Sequence, residues 1–316
     1  MIDCLARGLD AAGHEVVLFA TGDSTCPVAT EWVYPNGQDL GVGAGPVEMR
    51  HAIHAYGALR GVDLVHDHTS LGPIYAHWHP AVPVVATHHG SFTPEYVDLF
   101  RVAAARAHIV AISRSQASYA ADIPIDRVIH HGIDVDDLPC GPGSGGYLLF
   151  LGRMSPDKGP ARAITVARQA GMPLLMAAKM REPAEREYFD AQVEPLLGQD
   201  VEFVGEVDRV GKVELLAGAA ALVNPIRWPE PFGLVMIEAL ACGTPVLAFA
   251  EGAAPEIVDD GITGFICSDE IEMAARACEI GRLDRSVCRA AARARFSTGR
   301  MIREYVALYC EVLEKG

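Results

Sequence analysis

The sequence predicts an α/β fold of two doubly wound, Rossmann-like parallel-sheet domains that face each other across a cleft. Short runs rich in β-branched residues alternate with longer helical stretches, which is the pattern of consecutive βαβ units. Several strand-like runs are continuously apolar, as expected for parallel strands that are buried on both faces. The chain has 316 residues, enough for two domains that each contain a sizeable core.

The first half of the chain contains the first series of strands, with a helical pattern over residues 94–106 between two of them. This series is predicted to form an N-terminal domain over residues 1–138. Its predicted strands are residues 14–20, 62–68, 83–89, 107–113 and 126–133.

A segment rich in proline, glycine and serine, at residues 139–146, is predicted to be a linker. The second series of strands then builds a domain over residues 147–296. A final helix over residues 297–316 is expected to pack back toward the N-terminal domain. The predicted strands of the second series are residues 147–152, 173–178, 201–207, 221–226, 245–250 and 264–267.

Composition and charge exclude several classes of function. The proportions of apolar and charged residues are those of a soluble globular protein. A formal net charge of −15 argues against nucleic acid and anionic membrane surfaces as partners. No apolar run approaches the ~20 residues that span a bilayer, so stable membrane insertion is not expected. The N-terminus lacks signal-peptide features and the cysteines are scattered, which together predict a cytoplasmic protein with reduced thiols.

The stretch LGRMSPDKGP, residues 151–160, follows a predicted strand and carries two cations, Arg153 and Lys158. Pro160 suits the first turn of a helix, so the free amides of that helix point back toward both cations. Two cations beside a helix N-terminus favour a bound anion, and a phosphate fits such a site. The alternative is a solvated loop with two surface charges.

The apolar stretch EPFGLVMIEALACGTPVLAF, residues 230–249, carries two carboxylates, Glu230 and Glu238. It follows the predicted strand 221–226, and in open α/β sheets ligands bind beyond the carboxyl ends of strands. Because carboxylates accept paired hydrogen bonds from vicinal diols, we expect one acid to bind a sugar ring and the other a ribose. A diphosphate would lie between them and the basic loop.

The helix that follows Glu230 is predicted to begin at Phe232, Gly233 and Leu234. Gly233 allows a close approach of the backbone to a ligand. The first amides of the helix have no partner within the helix and are therefore available to anionic or sugar oxygens.

These motifs resemble a known family, the retaining GT-B glycosyltransferases of family 4. The two glutamates with Phe-Gly between them match its E-x-F-G-x-x-x-x-E pattern, and LGRMSPDKG matches its Arg/Lys diphosphate loop. VEFVGEV, HHGIDVDDL and GAAPEIVDDGITGF match further segments in the same order, so the resemblance covers nearly the whole chain. It implies transfer of a sugar from a nucleotide-diphosphate sugar donor to an acceptor hydroxyl, with the anomeric configuration retained.

The resemblance also implies roles for individual residues. Arg153 and Lys158 would bind the donor diphosphate. Glu230 would hold the hydroxyls of the donor sugar and Glu238 the ribose. Further donor contacts are implied for Phe232, for the backbone amides of Gly233 and Leu234, and, near the nucleobase, for Gly205 and Glu206.

Half of the twelve histidines lie between residues 66 and 89, which raises a second class of function, a metal-dependent hydrolase. No H-E-x-x-H motif accompanies them. A hydrogen-bonded polar cleft explains the same density, and His77 and His79 are interpreted as surface or packing residues.

The family resemblance gives some of these histidines another role. ATHHG resembles the segment whose histidine and following glycine face the donor sugar, which implies His89 and Gly90. Asp67 and His68 end the neighbouring strand, and we expect them to line the acceptor side.

No metal ion and no cofactor are expected beside the donor substrate. The D-x-D form at residues 134–136 is interpreted as structural. Arg153, Lys158 and helix amides are expected to stabilise the leaving diphosphate. No side chain stands out as a nucleophile, and the resemblance implies a front-face route in which the departing phosphate helps to deprotonate the acceptor.

Two further hypotheses remain, one about the type of reaction and one about the start of the chain. An epimerase or phosphorylase of the same fold is disfavoured by the glutamate spacing and the basic loop. The family also places a strand and a glycine-rich loop before the first helix, whereas this sequence opens with that helix. The chain is therefore expected either to start upstream or to be a poorly active remnant that binds nucleotide-sugar. The absent strand would leave a gap between strands 14–20 and 62–68.

Overall fold

The computed structural model describes residues 1–37, 45–78 and 82–315. The chain divides into two compact units. Unit 1 comprises Met1–Gly132 together with Thr298–Gly316, and unit 2 comprises Ile133–Ser297.

Unit 1 contains two parallel sheets among its described residues. Its strands are β1 (Val17–Ala20), β2 (Ala29–Trp32), β3 (Val65–Asp67), β4 (Val84–Thr87), β5 (Ala107–Ala111) and β6 (Ile125–Val128). The helices between them are α1 (Ile2–Ala11), α2 (Gly45–Ala58), α3 (Gly72–Tyr75), α4 (Pro94–Ala103) and α5 (Arg114–Ser118).

The larger sheet of unit 1 has the order β3-β4-β5-β6, and β1 pairs with β2 in a separate sheet. Within the described residues, no ladder joins β1 to β3. Strand β2 was not predicted. Its sequence, ATEW, is mostly exposed and lacks the apolar run that marks the other strands.

Unit 2 contains one six-stranded parallel sheet. Its strands are β7 (Leu148–Arg153), β8 (Leu174–Lys179), β9 (Val201–Gly205), β10 (Ala221–Asn224), β11 (Val246–Phe249) and β12 (Gly264–Cys267). Its helices are α6 (Pro160–Ala170), α7 (Pro183–Tyr188), α8 (Arg209–Gly218), α9 (Leu234–Ala241), α10 (Ala254–Ile257), α11 (Glu270–Ala277) and α12 (Arg285–Phe296).

The strand order of unit 2 is β12-β11-β10-β7-β8-β9, and all of its ladders are parallel. Strands β10 and β11 are buried at every residue, which explains their continuous apolar sequences. The predicted fold class, α/β with two parallel-sheet domains, is confirmed.

The last helix, α13 (Thr298–Lys315), packs on unit 1. Its buried residues Met301 and Tyr305 share a hydrophobic cluster with Leu5 of α1, Val85 of β4 and Val110 of β5. Across the described ranges, no helix is both long enough and apolar enough to cross a membrane.

The boundary between the units falls at Gly132/Ile133, ahead of the predicted linker over residues 139–146, which packs within unit 2. Backbone N–H groups of Gly141 and Gly145 donate to carbonyls of unit 2 at 2.9 Å each. Arg285 of α12 fixes the same segment. Its guanidinium donates to the carbonyl oxygen of Gly141 at 2.8 Å, to further carbonyls at residues 217, 219 and 242, and to Thr244 Oγ1 at 2.6 Å.

Replacing Arg285 with alanine should destabilise unit 2 by about 2–4 kcal/mol, because several enclosed carbonyl groups lose a charged donor together. Arg285→Lys should recover little of this, since an ammonium cannot reproduce the planar fork of donors. Urea unfolding measures the effect. Arg282→Ala, which changes an exposed arginine, is the control, and an equal loss in both variants would contradict the prediction.

Candidate functional site

The functional residues predicted in unit 2 gather at the carboxyl edge of its sheet. From β7 the chain proceeds in one direction through β8 and β9 and in the other through β10 to β12, so the strand order reverses between β7 and β10. In open α/β sheets ligands bind at such a switch point. The basic loop follows β7 and the glutamate loop follows β10, so both predicted motifs flank this position.

The basic loop connects β7 to α6. Arg153 is the last residue of β7, and Gly159 precedes the helix with a φ of +76°. Pro160 is the first residue of α6, as predicted. Gly159 N donates to the Ser155 carbonyl at 3.2 Å and Pro160 has no N–H, so the amides of α6 without a partner inside the helix are those of Ala161 and Arg162.

Lys158 and Glu230 contact each other directly. The ammonium Nζ donates to Oε2 of Glu230, and each side chain is only 16% exposed. The ring of Trp228 lies beside the same ammonium, with its centroid 5.2 Å from Nζ. Two residues that the sequence places 72 positions apart thus form one partly buried ion pair.

The backbone around Glu230 is held by the start of the segment GAAPEIVDDGITGF, for which the sequence predicted a family match but no place in the site. Ala253 N donates to Glu230 O at 3.0 Å. A Cβ on Gly252 would lie 2.3 Å from the same oxygen, so only glycine allows this approach. Gly233 precedes α9 with a φ of +97°, which also favours glycine.

Arg153 is oriented by acidic partners. Its Nη1 lies 3.3 Å from Oε1 of Glu185, and its Nη2 lies 3.4 Å from Oδ2 of Asp157. Glu185 is buried, and its Oε2 accepts from the backbone N–H groups of Arg181 at 2.9 Å and Glu182 at 3.2 Å. Sequence reasoning missed Glu185, although Glu182 and Glu185 at three-residue spacing form the capping box of α7.

Glu238 of α9 is paired with Lys212 of α8. The Nζ of Lys212 donates to Oε1 of Glu238 at 2.6 Å, and both side chains are partly buried. Lys212 was not predicted, because nothing in the local sequence indicates that α8 and α9 are neighbours. The pair leaves the second Glu238 oxygen to other donors.

The end of β9 carries the remaining charged residue predicted for the site. Gly205 closes the strand, and Glu206 follows with its Oε1 3.0 Å from Nη2 of Arg181 and 3.9 Å from Nζ of Lys179. Two other predicted residues differ in exposure. Phe232 is buried against Phe296, whereas Leu234 is exposed.

In unit 1 the structure separates the two adjacent histidines after β4. The His88 ring is buried among Phe92, Tyr96 and Phe100, with ring centroids 4.7 to 4.9 Å apart, and burial lowers its pKa to about 4. His89 points elsewhere and is partly exposed. His88 is thus a packing residue, and His89 is the one of the two available to a ligand.

His89 belongs to a row of three imidazoles, which we call the imidazole chain: His68, His89 and His131. His68 Nδ1 lies 3.0 Å from His89 Nε2, and His89 Nδ1 lies 3.4 Å from His131 Nε2. The three residues follow β3, β4 and β6, so they lie at the carboxyl edge of the unit 1 sheet.

Asp67, predicted on the acceptor side, is enclosed instead. Its carboxylate accepts from Tyr56 Oη at 2.9 Å and from Thr69 N and Oγ1 at 2.8 Å each. Burial raises the pKa of this carboxyl group. This geometry favours a structural role, in which Asp67 holds the turn that leads into α3.

The histidines form no metal cage where the structure describes them. In the described ranges, no group of three or more His, Cys, Asp or Glu side chains is arranged to hold a metal ion. His77 is exposed, and its Nε2 donates to the Val102 carbonyl at 3.3 Å. His79 lies outside the described residues.

Two family profiles match this chain in succession. "Glycosyltransferase Family 4" matches residues 1–137, and "Glycosyl transferases group 1" matches residues 142–291. The second match contains the loops after β7 and β10, and the first contains the imidazole chain.

Individual proteins resemble the chain at lower identity. A phosphatidyl-myo-inositol mannosyltransferase of Mycobacterium leprae is 29% identical in an alignment of length 230 that covers 65% of this chain and 59% of that protein. AviGT4, a glycosyltransferase involved in avilamycin A biosynthesis, is 26% identical with a TM-score of 0.73, covering 99% of this chain and 89% of that one. HepE of Anabaena, solved with UDP and glucose, is 20% identical with a TM-score of 0.74, covering 97% and 94% of the two chains.

Proposed function

Because this chain belongs to family 4 of the GT-B glycosyltransferases, we propose that it transfers a sugar from a nucleotide-diphosphate sugar to an acceptor hydroxyl, with retention of anomeric configuration. The observation that carries the proposal is the Lys158–Glu230 pair at the switch point between β7 and β10. The solved complexes of HepE with UDP and with UDP-glucose support a nucleotide-sugar donor.

The arrangement suits a diphosphate bound beside a sugar. An ammonium has three N–H donors, so Lys158 can keep Glu230 and also donate to a phosphate oxygen. Arg153 adds a planar guanidinium and α6 adds its free N-terminal amides, both of which favour phosphate. Glu230, held by Lys158, is left to accept hydrogen bonds from sugar hydroxyls.

The other contacts follow from the same placement. The second oxygen of Glu238 accepts from a ribose hydroxyl, and Gly205 and Glu206 lie by the nucleobase. Phe232 supports the loop from the core, and the amides of Gly233 and Leu234 donate to the donor. For unit 1, the family resemblance implies that His89 and Gly90 contact the donor sugar.

Catalysis on this proposal is electrostatic. Negative charge grows on the diphosphate as the glycosidic bond breaks, and donors that are already in place stabilise it without reorganisation. The departing phosphate oxygen takes the proton of the acceptor hydroxyl on the same face. Arg153 and Lys158 supply the positive charge that stabilises the leaving diphosphate, so we expect transfer to proceed without an obligatory metal ion.

The proposal is tested by thermal unfolding with a panel of UDP-, GDP-, ADP- and TDP-sugars. A donor that binds only the folded state raises the unfolding temperature. The product formed from that donor and an acceptor panel is then examined by NMR. Stabilisation by none of the donors would contradict a nucleotide-sugar substrate, and an inverted anomeric centre would contradict retention.

Replacing Glu238 with glutamine should weaken donor binding about tenfold and change kcat little, because the ribose contact exists before and after the chemical step. Titration calorimetry with the donor measures the affinity. Lys212→Met is the matched control, since it breaks the same ion pair and keeps the carboxylate. Equal weakening in both variants would show that the ion pair, and not the carboxylate, matters for binding.

A further inference from the structure

The imidazole chain uses both ring nitrogens of His89. A neutral imidazole has one N–H donor and one acceptor nitrogen, so His89 donates to one neighbour and accepts from the other. A substrate hydroxyl can therefore reach a nitrogen of His89 only by replacing one neighbour. The two bonds differ in length: 3.0 Å to His68 and 3.4 Å to His131. The longer bond is the weaker one, so Nδ1 is the nitrogen that exchanges.

The position of the His68 ring is fixed by its packing against His66. The ring of His66 packs against that of His68 at an interplanar angle of 38°, with centroids 4.0 Å apart. His66 is fixed in turn, because its Nδ1 bonds to Tyr309 Oη at 2.6 Å and its Nε2 bonds to Thr87 Oγ1 at 2.8 Å. Helix α13 and strand β4 therefore support the ring that holds Nε2 of His89.

Burial keeps all three rings of the imidazole chain neutral at pH 7. Burial lowers the pKa of His89 to about 4 and the pKa values of His68 and His131 well below the ordinary value. The surrounding titratable and cationic groups act in the same direction: His66, His88, His130, Arg300 and the α-amino group of Met1. In a neutral imidazole chain both hydrogen bonds run in the same direction, so two proton orders are possible, and the neighbours of His89 decide which of its nitrogens carries the proton.

We propose that His68 is a positioning residue for His89: it holds Nε2 and so leaves Nδ1 to meet a hydroxyl of the sugar substrate in exchange for His131. The inference rests on the proposed function, because the substrate is a sugar. His68 acts through His89 and touches no reacting atom.

Amide side chains provide a sharp test. The amide of asparagine occupies the place of a histidine Nδ1, whereas the amide of glutamine reaches the place of Nε2. His68 uses its Nδ1, so His68→Asn keeps a partner for His89 and His68→Gln puts an equally polar group in the wrong place. His77→Gln, at an exposed histidine, is the control for a histidine change in the same unit.

We expect His68→Gln to lower kcat about 10- to 100-fold with little change in KM, because His89 is misplaced in the transition state. His68→Asn should recover most of this loss, and His77→Gln should match the parent. His131→Gln should cost less than His68→Gln. Thermal unfolding of both variants checks that they are equally stable, so that a difference in kcat does not reflect unfolding. Equal kcat in the asparagine and glutamine variants would overturn the proposal.

Imidazole ¹⁵N NMR provides a readout that needs no activity. In the parent and in His68→Asn, the two nitrogens of His89 should give the shifts of a single tautomer. In His68→Gln the ¹⁵N shifts of His89 should move toward the average of its two neutral tautomers. Unchanged His89 shifts in His68→Gln would overturn the positioning role even if the parent transfers sugar. A parent that transfers no sugar would contradict the proposed function and leave this NMR test intact.

Discussion

Lys158→Ala should lower the rate of sugar transfer about 10²- to 10³-fold, which is the range for loss of one preorganised donor to charge that develops in a transition state. The chain should still fold, because Lys158 lies in the loop ahead of α6 and its ion pair is with one side chain, Glu230. Steady-state kinetics with the donor from the thermal screen, beside circular dichroism, measures both quantities. A kcat within about threefold of the parent would remove Lys158 from the catalytic machinery.

The ion pair adds a second, more specific expectation. Removing Lys158 leaves the partly buried Glu230 carboxylate without its cation, close to where we place the diphosphate. Two negative groups then repel each other, so affinity for the nucleoside diphosphate product should fall as well. Lys158→Ala combined with Glu230→Gln removes that repulsion. The double variant should therefore bind the product more tightly than Lys158→Ala alone, although it transfers no faster.

The matched control is Lys158→Arg, which keeps the charge but changes its geometry. It should retain product affinity and lose part of kcat, since the transition state needs the ammonium at one position. Product affinity that is equal in Lys158→Ala and in the double variant would mean that Glu230 does not face the phosphates.

Much of this fold was predictable because strands that are buried on both faces of a parallel sheet have continuous apolar sequences. Strands such as β10 and β11 read as unbroken apolar runs, and the structure has them near their predicted positions. Strand β2 has no such apolar run, since most of its sequence ATEW faces solvent. Local patterns also predicted where α6 and α9 begin, through Pro160 and Gly233.

The site was predictable where each motif follows a strand. Lys158 and Glu230 meet because parallel strands bring their carboxyl ends to one edge. The contacts of the motif residues with one another and with Lys212 were not predictable, because Lys212 meets Glu238, and Gly252 meets Glu230, through packing between distant segments. Asp67 shows the reverse case. Its HDH setting suggests a polar cleft, and only the surrounding Tyr56 and Thr69 show that it is enclosed.

Unit 1 should unfold in acid at a higher pH than unit 2. All twelve histidines of the chain lie within residues 1–132, and none lies in unit 2. Burial lowers the pKa of His66 to about 3 and of His88 and His89 to about 4, and it lowers the pKa values of His68 and His131 well below the ordinary value.

The sign follows from proton binding. A histidine in the unfolded chain binds a proton below pH ~6.5, whereas His66, His88 and His89 stay neutral in the folded unit to about pH 4 or lower. The pKa values of His68 and His131 are lowered in the same direction. The contribution of these histidines to stability is therefore complete above pH ~6.5 and is lost as the pH falls toward 4. The raised pKa of Asp67 acts in the opposite direction, but it is one group against five. A single histidine shifted to about 4 costs about 3 kcal/mol at pH 4, so a few of them exceed half of an ordinary domain's stability.

Tryptophan fluorescence can follow the two units separately. Trp32 and Trp78 lie in unit 1 and Trp228 lies in unit 2. Trp228→Phe therefore reports on unit 1, and the combined Trp32→Phe and Trp78→Phe variant reports on unit 2. We expect the first signal to change between pH ~6 and ~4.5, and the second only where carboxyl groups titrate, near pH 4.

His88→Phe tests the cause within unit 1. The His88 ring is already surrounded by Phe92, Tyr96 and Phe100, so phenylalanine fits the same apolar environment without a titrating group. At pH 7 the variant should be no more stable than the parent, because it loses the hydrogen bond from Nε2 to the Ser91 carbonyl, 3.2 Å away. In acid the order should reverse, with the unfolding midpoint of unit 1 lower by a few tenths of a pH unit or more. His14→Gln, at an exposed histidine, should leave that midpoint unchanged. If His14→Gln shifts the midpoint as far as His88→Phe, or if both units unfold at one pH, buried histidines are not what makes unit 1 sensitive to acid.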